Sequence, residues 1–121
     1  MTRWTEGQLM AFVSRGRRAQ KAVDEAIFKI TEKQWQEQVE ALLMFCGWRF
    51  YHTRDSRKSN EGFPDIITLR RRRMVVAELK VGDEQPSPKQ EEWLEDFKGV
   101  PGAEVYVWRP EDIEEVKRAL R

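Results

Sequence analysis

The stretch that decides the fold reads Pro64-Asp65-Ile66-Ile67-Thr68-Leu69, then four arginines, then Met74-Val75-Val76-Ala77-Glu78-Leu79-Lys80-Val81. Both apolar runs are rich in β-branched residues and have the length of strands. A turn at Arg71 and Arg72 would join them into an antiparallel hairpin. Apolar residues occupy both faces of the second run, which is typical of a central strand covered on both sides. The sequence therefore predicts a sheet built around this hairpin.

Helical and strand-like segments flank the hairpin. Before it, residues 4–28 and 31–46 carry apolar side chains at helical spacing, and Thr31 with Gln34 has the pattern of a capping box. The other predicted elements are a strand at Trp48–His52, a helix introduced by Pro86 and Pro88, a strand at Val105–Trp108 and a closing helix at Asp112–Leu120. This order predicts one α/β domain with a sheet of about four strands flanked by helices.

The composition sets broad limits on the class of protein. The chain has 121 residues, of which 40% are hydrophobic and 36% charged, which fits one soluble globular domain. No apolar run approaches the roughly 20 residues that span a bilayer, so no membrane segment is expected. The single cysteine, Cys46, excludes an internal disulfide and a cysteine-based zinc site. These features favour a location in the reducing cytoplasm.

The charges are segregated along the chain although the formal net charge is only +1. Residues 49–73 contain eight Lys or Arg against three Asp or Glu, whereas residues 83–115 contain three basic against eleven acidic residues. The basic middle can follow a phosphate backbone, and the acidic segment would then face away from it. The alternative is that each charged run is an ordinary solvated face.

Three residues of the hairpin suggest chemistry. Glu78 and Lys80 project to the same face of their strand, and taken alone they could form a simple ion pair at its exposed end. The hairpin would bring the carboxylate of Asp65 to the same end of the sheet. Close carboxylates repel each other unless a cation lies between them, and Mg²⁺ commonly binds one or two carboxylates with waters and phosphate oxygens. Asp65, Glu78 and the Leu79 backbone carbonyl therefore predict a site for Mg²⁺ or Mn²⁺, beside which Lys80 can polarise a phosphate or orient the attacking water.

Two motifs of this chain, Phe63-Pro64-Asp65 followed by Glu78-Leu79-Lys80, together resemble the signature of the PD-(D/E)XK nucleases. The chain is most similar to the virus-type replication-repair nuclease (VRR-NUC) subgroup, over about Thr31 to Leu120. The other matching residues are Gly47-Trp48, Tyr51-His52-Thr53, Asp55-Ser56-Arg57, Gly62, Ala77, Ser87-Pro88, Gln90, Trp93-Leu94 and Val107-Trp108-Arg109-Pro110. The resemblance implies a restriction-endonuclease-like core at residues 31–121, preceded by a helical extension at residues 1–30.

The resemblance also implies a function. It indicates a metal-dependent endonuclease that hydrolyses phosphodiester bonds of DNA, with Mg²⁺ or Mn²⁺ as cofactor. Stand-alone members of the family resemble Holliday junction resolvases and act as homodimers, so branched DNA and a second copy of the chain are the expected partners. A role in phage replication or repair, inside the bacterial host cell, is implied in the same way. The alternatives are a flap or general structure-specific nuclease and a catalytically silent DNA-binding module.

Further site residues follow from the resemblance. The family places an acidic or amide residue on the helix before the first strand, where Glu32 and Gln36 lie one turn apart on one face. Which of the two reaches the metal site is open. Gln90 corresponds to a glutamine near the active site of the family. For all three, the alternative is a solvated helix face.

Contacts to DNA are expected from the segment that follows the first strand. His52, the only histidine, and Thr53 can contact phosphate, although a histidine at a strand end is commonly structural. The polar loop beyond them supplies further phosphate contacts from Arg54, Ser56, Arg57 and Lys58. Residues 70–73 lie at the opposite end of the predicted hairpin, and there a solubilising turn is favoured over contact with DNA. The first helix, with its basic cluster at residues 15–18, could pack on the core, contact a partner subunit or contact DNA.

Overall fold

A computed structural model of the chain describes residues 3, 5–53 and 60–121. The elements are α1 (Glu6–Phe28), α2 (Glu32–Phe45), β1 (Arg49–His52), β2 (Ile66–Arg70), β3 (Arg73–Leu79), α3 (Pro88–Lys98), β4 (Ala103–Trp108), the 3-10 turn Pro110–Asp112 and α4 (Ile113–Leu120). The order of helices and strands confirms the predicted α/β arrangement.

The hairpin at the centre of the fold forms as predicted. β2 and β3 are antiparallel neighbours, with Ile66 opposite Ala77 at one end and Arg70 opposite Arg73 at the other. The turn residues Arg71 and Arg72 have φ values of 47° and 68°. Such left-handed conformations at both positions match the right-handed twist of the strands that they join. The tight turn fixes the pairing register, and that register carries Asp65 to the end of the sheet where Glu78 lies.

The four strands form one mixed sheet in the order β1-β2-β3-β4. β1 pairs antiparallel with β2, whereas β3 and β4 are parallel and are connected through α3. The main core lies between one face of this sheet and residues of α2 and α4; its members are Trp35, Val39, Leu43, Trp48, Ile66, Val75, Ala77, Leu79, Trp108, Val116 and Leu120.

The central strand is buried on both faces, as its sequence predicts. Val76 and Glu78 alternate with the core residues of β3, and they are 0% and 1% exposed. The same face of the sheet is open on β1 and β2, where the side chains of Tyr51 and Leu69 are 61% and 53% exposed. The sheet is thus covered unevenly: β3 is enclosed, and the β1–β2 edge faces solvent on one side.

Most predicted element ends agree with the structure. The Thr31–Gln34 capping box is present, with bonds of 3.0 and 3.1 Å. The strand predicted to reach Val81 ends at Leu79; the backbone N–H of Lys80 still donates to the Trp108 carbonyl, and the chain then turns at Gly82, whose φ is 58°. The helix predicted from Asp112 begins at Ile113, after the 3-10 turn.

Helix α1 lies largely outside the core. Its first turn is capped by reciprocal bonds between Thr5 and Gln8, and it contacts the 3-10 turn. Its apolar side chains Leu9, Val13 and Val23 are exposed. The predicted start at Trp4 lies outside the described residues. In the described part of the chain, no helix is both long enough and apolar enough to cross a membrane.

The four arginines of the hairpin turn are not merely a solubilising surface. Arg70 donates to the backbone carbonyls of Cys46 and Leu120, at 2.8 and 3.1 Å. Arg73 forms a two-pronged ion pair with Glu104, with both bonds at 2.8 Å. Both guanidinium groups also lie over the Trp48 ring. These two arginines therefore tie the hairpin to the ends of α2 and α4, whereas Arg71 and Arg72 are exposed.

Replacing Arg70 by alanine is expected to lower the free energy of unfolding by about 1–3 kcal/mol, because the Cys46 carbonyl loses its guanidinium donor and the Leu120 carbonyl keeps only Trp48 Nε1. The matched change Arg71→Ala, one position along the same turn, is expected to alter it by less than about 0.5 kcal/mol. Urea denaturation of the two variants measures the difference. Equal losses would show that Arg70 has no special structural role.

Candidate active site

The residues that the sequence predicts for the site lie around one cavity of about 250 Å³ at an end of the sheet. Its lining residues are Glu32, Gln36, His52, Thr53, Gly62, Phe63, Asp65, Glu78 and Gln90. Lys80 does not line the cavity, but its Nζ lies 3.5 Å from Oε1 of Glu78, which does. Segments that are distant in the sequence, α2, the end of β1, the 60–65 loop, β3 and α3, thus converge on one place.

Asp65 is held at the end of the β2–β3 ladder. Its Oδ2 accepts a hydrogen bond of 2.8 Å from the backbone N–H of Leu79. Its own carbonyl accepts from the N–H of Thr53 at 2.9 Å. The Asp65 carboxylate therefore accepts from the Leu79 N–H in the place that a backbone carbonyl of a neighbouring strand would take. This bond fixes the carboxylate next to the end of β3.

Glu78 is the least solvated group of the site. Its residue is 1% exposed, and its Oε1 lies 3.5 Å from Nζ of Lys80, whose side chain is 10% exposed. Its Oε2 is buried and has no hydrogen-bond partner among the described residues. Buried carboxylate oxygens are expensive to leave unpaired. The predicted alternative, an ion pair at an exposed strand end, does not describe this buried arrangement.

The surroundings of Glu78 shift its protonation. Burial raises the pKa of Glu78 to about 8, followed by the negative charge of Asp65 and a side-chain hydrogen bond with it, against the opposing effect of Lys80. A metal cation competes with the proton for the same carboxylate oxygens, and binding of the cation releases the proton to water. A cation between Asp65 and Glu78 would be such a competitor.

The donor set fits a hard divalent cation. Asp65 and Glu78 offer two carboxylates, one of which has an unpartnered oxygen, and Leu79 contributes a carbonyl at the last position of β3. Within the described ranges, no group of three or more His, Cys, Asp or Glu side chains could hold a metal ion. Two carboxylates with room for water suit Mg²⁺ or Mn²⁺.

Helix α2 contributes a polar wall to the cavity. The Gln36 amide nitrogen lies 3.0 Å from Nδ1 of His52, and Glu40 Oε1 lies 3.8 Å from the same nitrogen. A donating amide leaves the ring proton on Nε2. Glu40 was not predicted, although its spacing of four residues from Gln36 places it on the same helix face. Glu32, one turn earlier, also lines the cavity.

Helix α3 begins at the opposite wall. Its capping box joins Ser87 and Gln90: the Gln90 carboxamide oxygen accepts from the Ser87 N–H at 2.8 Å. The amide nitrogen of Gln90 is the polar group that this box does not use. Gly62, at φ +84°, approaches the same turn so closely that a Cβ would lie 2.6 Å from the Lys89 carbonyl carbon. The positioning role of Gly62 was not predicted, since its signal is visible only in three dimensions.

Of the residues expected to contact DNA, His52 and Thr53 line the cavity. The Thr53 hydroxyl donates to the Pro64 carbonyl at 2.9 Å, so this residue also latches the end of β1 to the segment that carries Asp65. The other members of that prediction, together with Asp55 of the matching motif, lie outside the described residues; they are Arg54, Ser56, Arg57 and Lys58.

Comparisons with known proteins give no match: no protein-family model, no curated protein and no solved structure is similar to this chain.

The raised pKa of Glu78 makes the stability of the protein depend on pH. The folded chain binds this proton more tightly than the unfolded chain, whose carboxyl has the ordinary value of 4.5, so stability falls as the pH rises from about 4.5 to about 8. Glu78→Gln removes this dependence. In EDTA, the free energy of unfolding of the variant is expected to rise relative to that of the wild type by up to about 1.4 kcal/mol per pH unit in this window. Urea denaturation at several pH values measures the gain, with exposed Glu111→Gln as control; parallel curves for Glu78→Gln and the wild type would contradict the buried, raised carboxyl.

Gly62→Ala is expected to destabilise the fold and to displace the cavity wall, because the new methyl group meets the backbone of α3. Gly102→Ala is the matched control, since Gly102 has φ +85° but open space around its Cβ position. The control should lower the free energy of unfolding by only roughly 1–2 kcal/mol, the cost of an alanine in the left-handed backbone region. Gly62→Ala should lower it by about 1–3 kcal/mol more. Thermal and urea unfolding compare the two, and equal costs would refute the close approach.

Proposed function

We propose that this chain is a metal-dependent endonuclease that hydrolyses phosphodiester bonds of DNA. The observation that carries the proposal is the unpartnered oxygen of Glu78, buried beside Asp65 and Lys80 at the wall of an open polar cavity. A purely structural ion pair has no need of a second carboxylate at the same strand end, nor of a cavity in front of it. The resemblance to the PD-(D/E)XK nucleases, and to the VRR-NUC subgroup among them, supports the same activity and a restriction-endonuclease-like core.

Asp65, Glu78 and the Leu79 carbonyl would hold the cation, Mg²⁺ or Mn²⁺. When bound, the cation lowers the pKa of a coordinated water and offsets negative charge on the attacked phosphate. Asp65 is already fixed by its bond to the Leu79 N–H, and Glu78 by the enclosed strand that carries it. Both carboxylates are thus pre-positioned, so little reorganisation is required for binding.

Lys80 brings a positive charge to the same place. Its ammonium group lies 3.5 Å from Glu78 and has three donors, of which the Glu78 carboxylate uses at most part. Lys80 would donate to an oxygen of the attacked phosphate or hold the attacking water in line. A fixed cation in a poorly solvated site is most effective where negative charge develops in the transition state.

The remaining cavity residues position substrate and water. His52, with Nδ1 occupied by Gln36, presents its Nε2 proton as a donor suited to a phosphate oxygen. Glu32 and the amide nitrogen of Gln90 offer one acceptor and one donor on opposite walls. Glu32 is the group that we propose to reach a metal-bound water, because its carboxylate lines the cavity and is a stronger acceptor than the carboxamide oxygen of Gln36.

The substrate is branched DNA cut by a homodimer. A four-way junction has two-fold symmetry, and a symmetric dimer would present two copies of the cavity for paired cuts. The basic segment around residues 49–73 supplies the charge for contact with phosphate. The second candidate function is a flap or general structure-specific nuclease, which would use the same site on DNA of a different shape.

Asp65→Asn, Glu78→Gln and Lys80→Ala are each expected to lower cleavage by at least ~100-fold, since each removes a charge from the reacting centre. Cleavage should require Mg²⁺ or Mn²⁺ and stop in EDTA. Lys98→Ala, an exposed lysine on α3, is the control and should cut at the wild-type rate. Activity that survives in EDTA or in the three variants would refute the mechanism. DNA binding without any cleavage or divalent-ion binding would identify the chain as a silent binding module.

A synthetic four-way junction should be cut faster than matched duplex, flap and single-stranded substrates, and sedimentation should show two chains per particle. The comparison uses equal sequence and ionic strength, because salt weakens every phosphate contact. Equal cutting of plain duplex would exclude the junction preference, and preferred cutting of the flap would favour the second candidate.

A further inference from the structure

An arginine-rich surface lies on the sheet face that carries Asp65 and Glu78, at the end of that face far from these two residues. A groove of about 350 Å³ is lined there by Arg49, Leu69, Met74 and the four arginines 70–73. Among the residues that the structure describes, no acidic side chain lines it. Such a groove has a strong positive potential, which attracts anions.

Only part of this positive charge has a partner within the fold. Arg73 is neutralised by Glu104, and Arg70 is bonded to backbone carbonyls. Arg49, Arg71 and Arg72 are exposed, and within the described ranges they have no ion pair or side-chain hydrogen bond. Three guanidinium groups therefore remain for an external anion, and guanidinium matches phosphate in both charge and geometry.

The register of the sheet connects this surface to the candidate site. Arg49 is opposite Leu69, and Leu69 is opposite Met74, so these side chains share one face. That face continues through exposed Tyr51 and ends at Asp65 and Glu78. Leu69 lies four positions beyond Asp65 in the sequence, a distance of roughly 13 Å along a strand. Along one DNA strand, in which each nucleotide rises about 3.4 Å, this corresponds to about four nucleotides.

We infer that the open face of β1 and β2 binds the sugar-phosphate backbone of the DNA strand that leads away from the cleaved bond. Arg49 contacts a phosphate about four nucleotides from the scissile position, and Arg71, in the turn just beyond β2, contacts one about six nucleotides away. The occupant is DNA because the surface is open, cationic and continuous with the cavity. The inference rests on the proposed function, and it adds a substrate contact at the end of the sheet opposite the catalytic carboxylates.

The first test measures DNA binding in EDTA in the uncut Glu78→Gln background. Adding Arg49→Gln and Arg71→Gln should weaken binding and lower the slope of log affinity against log salt by about two, roughly one per lost phosphate contact. Arg118→Gln, an exposed arginine on α4, should leave the slope unchanged. Unfolding midpoints of all variants should stay equal, since the three side chains are exposed. An unchanged slope in the double variant, an equal loss with Arg118→Gln, or no DNA binding by the parent would overturn the inference.

The second test uses DNA with a neutral methylphosphonate at single positions. Substitution about four nucleotides from the cut should slow cleavage by wild-type protein and have no added effect on Arg49→Gln; equal sensitivity of the two proteins would overturn the assignment. The two tests separate the inference from the function. Cleavage by the wild type together with an unchanged salt slope refutes the surface and leaves the nuclease intact, whereas a reduced slope without any cleavage refutes the nuclease and leaves the surface.

Discussion

The site depends on two carboxylates that the sheet forces together. Asp65 accepts a hydrogen bond from the N–H of Leu79 in the central strand β3. Glu78, the residue before Leu79, is enclosed in the same strand, so neither carboxyl can move far from the other. Their repulsion and the loss of solvent are opposed by one lysine. Protonation of Glu78 offsets part of this cost in the free protein, and the cation that we propose would offset it when bound.

The surrounding structure makes this arrangement rigid. The tight turn at Arg71 and Arg72 sets the register of the hairpin, while Arg70 and Arg73 fasten the hairpin to the helix ends and to Trp48. At the other end, Thr53 and Gly62 hold the segment that carries Asp65 against β1 and α3. The sheet is thus held at both ends, by the arginines at the turn and by Thr53 and Gly62 at the end where the candidate site lies.

Much of this was predictable because it follows from local rules. The hairpin, the central strand and the Thr31 capping box each have a period or a turn signal within a few residues. The convergence of Asp65 with Glu78 followed once the turn was placed, since strand pairing is then fixed by counting. Arg71 and Arg72 form the turn although neither is a glycine or asparagine, so here the pattern of the flanking strands was the stronger signal.

Other features depend on contacts between distant segments, and the sequence does not show them. The bonding of Gln36 to His52 requires the angle between α2 and β1, and the role of Gly62 requires the approach of α3. Arg70 and Arg73 were expected to be solubilising, because their carbonyl partners lie up to fifty residues away in the chain. The positive groove at Arg49 emerges only when β1 is paired with β2.

The central claim is that Asp65 and Glu78 hold a divalent cation. Anomalous diffraction from crystals soaked in Mn²⁺ tests it directly, because the ion is located independently of any activity. The account predicts one Mn²⁺ with carboxylate oxygens of Asp65 and Glu78 as ligands, and the loss of that peak in Glu78→Gln. A crystal in which Mn²⁺ binds elsewhere, or in which the Glu78 oxygen stays unliganded at saturating Mn²⁺ and alkaline pH, would contradict it.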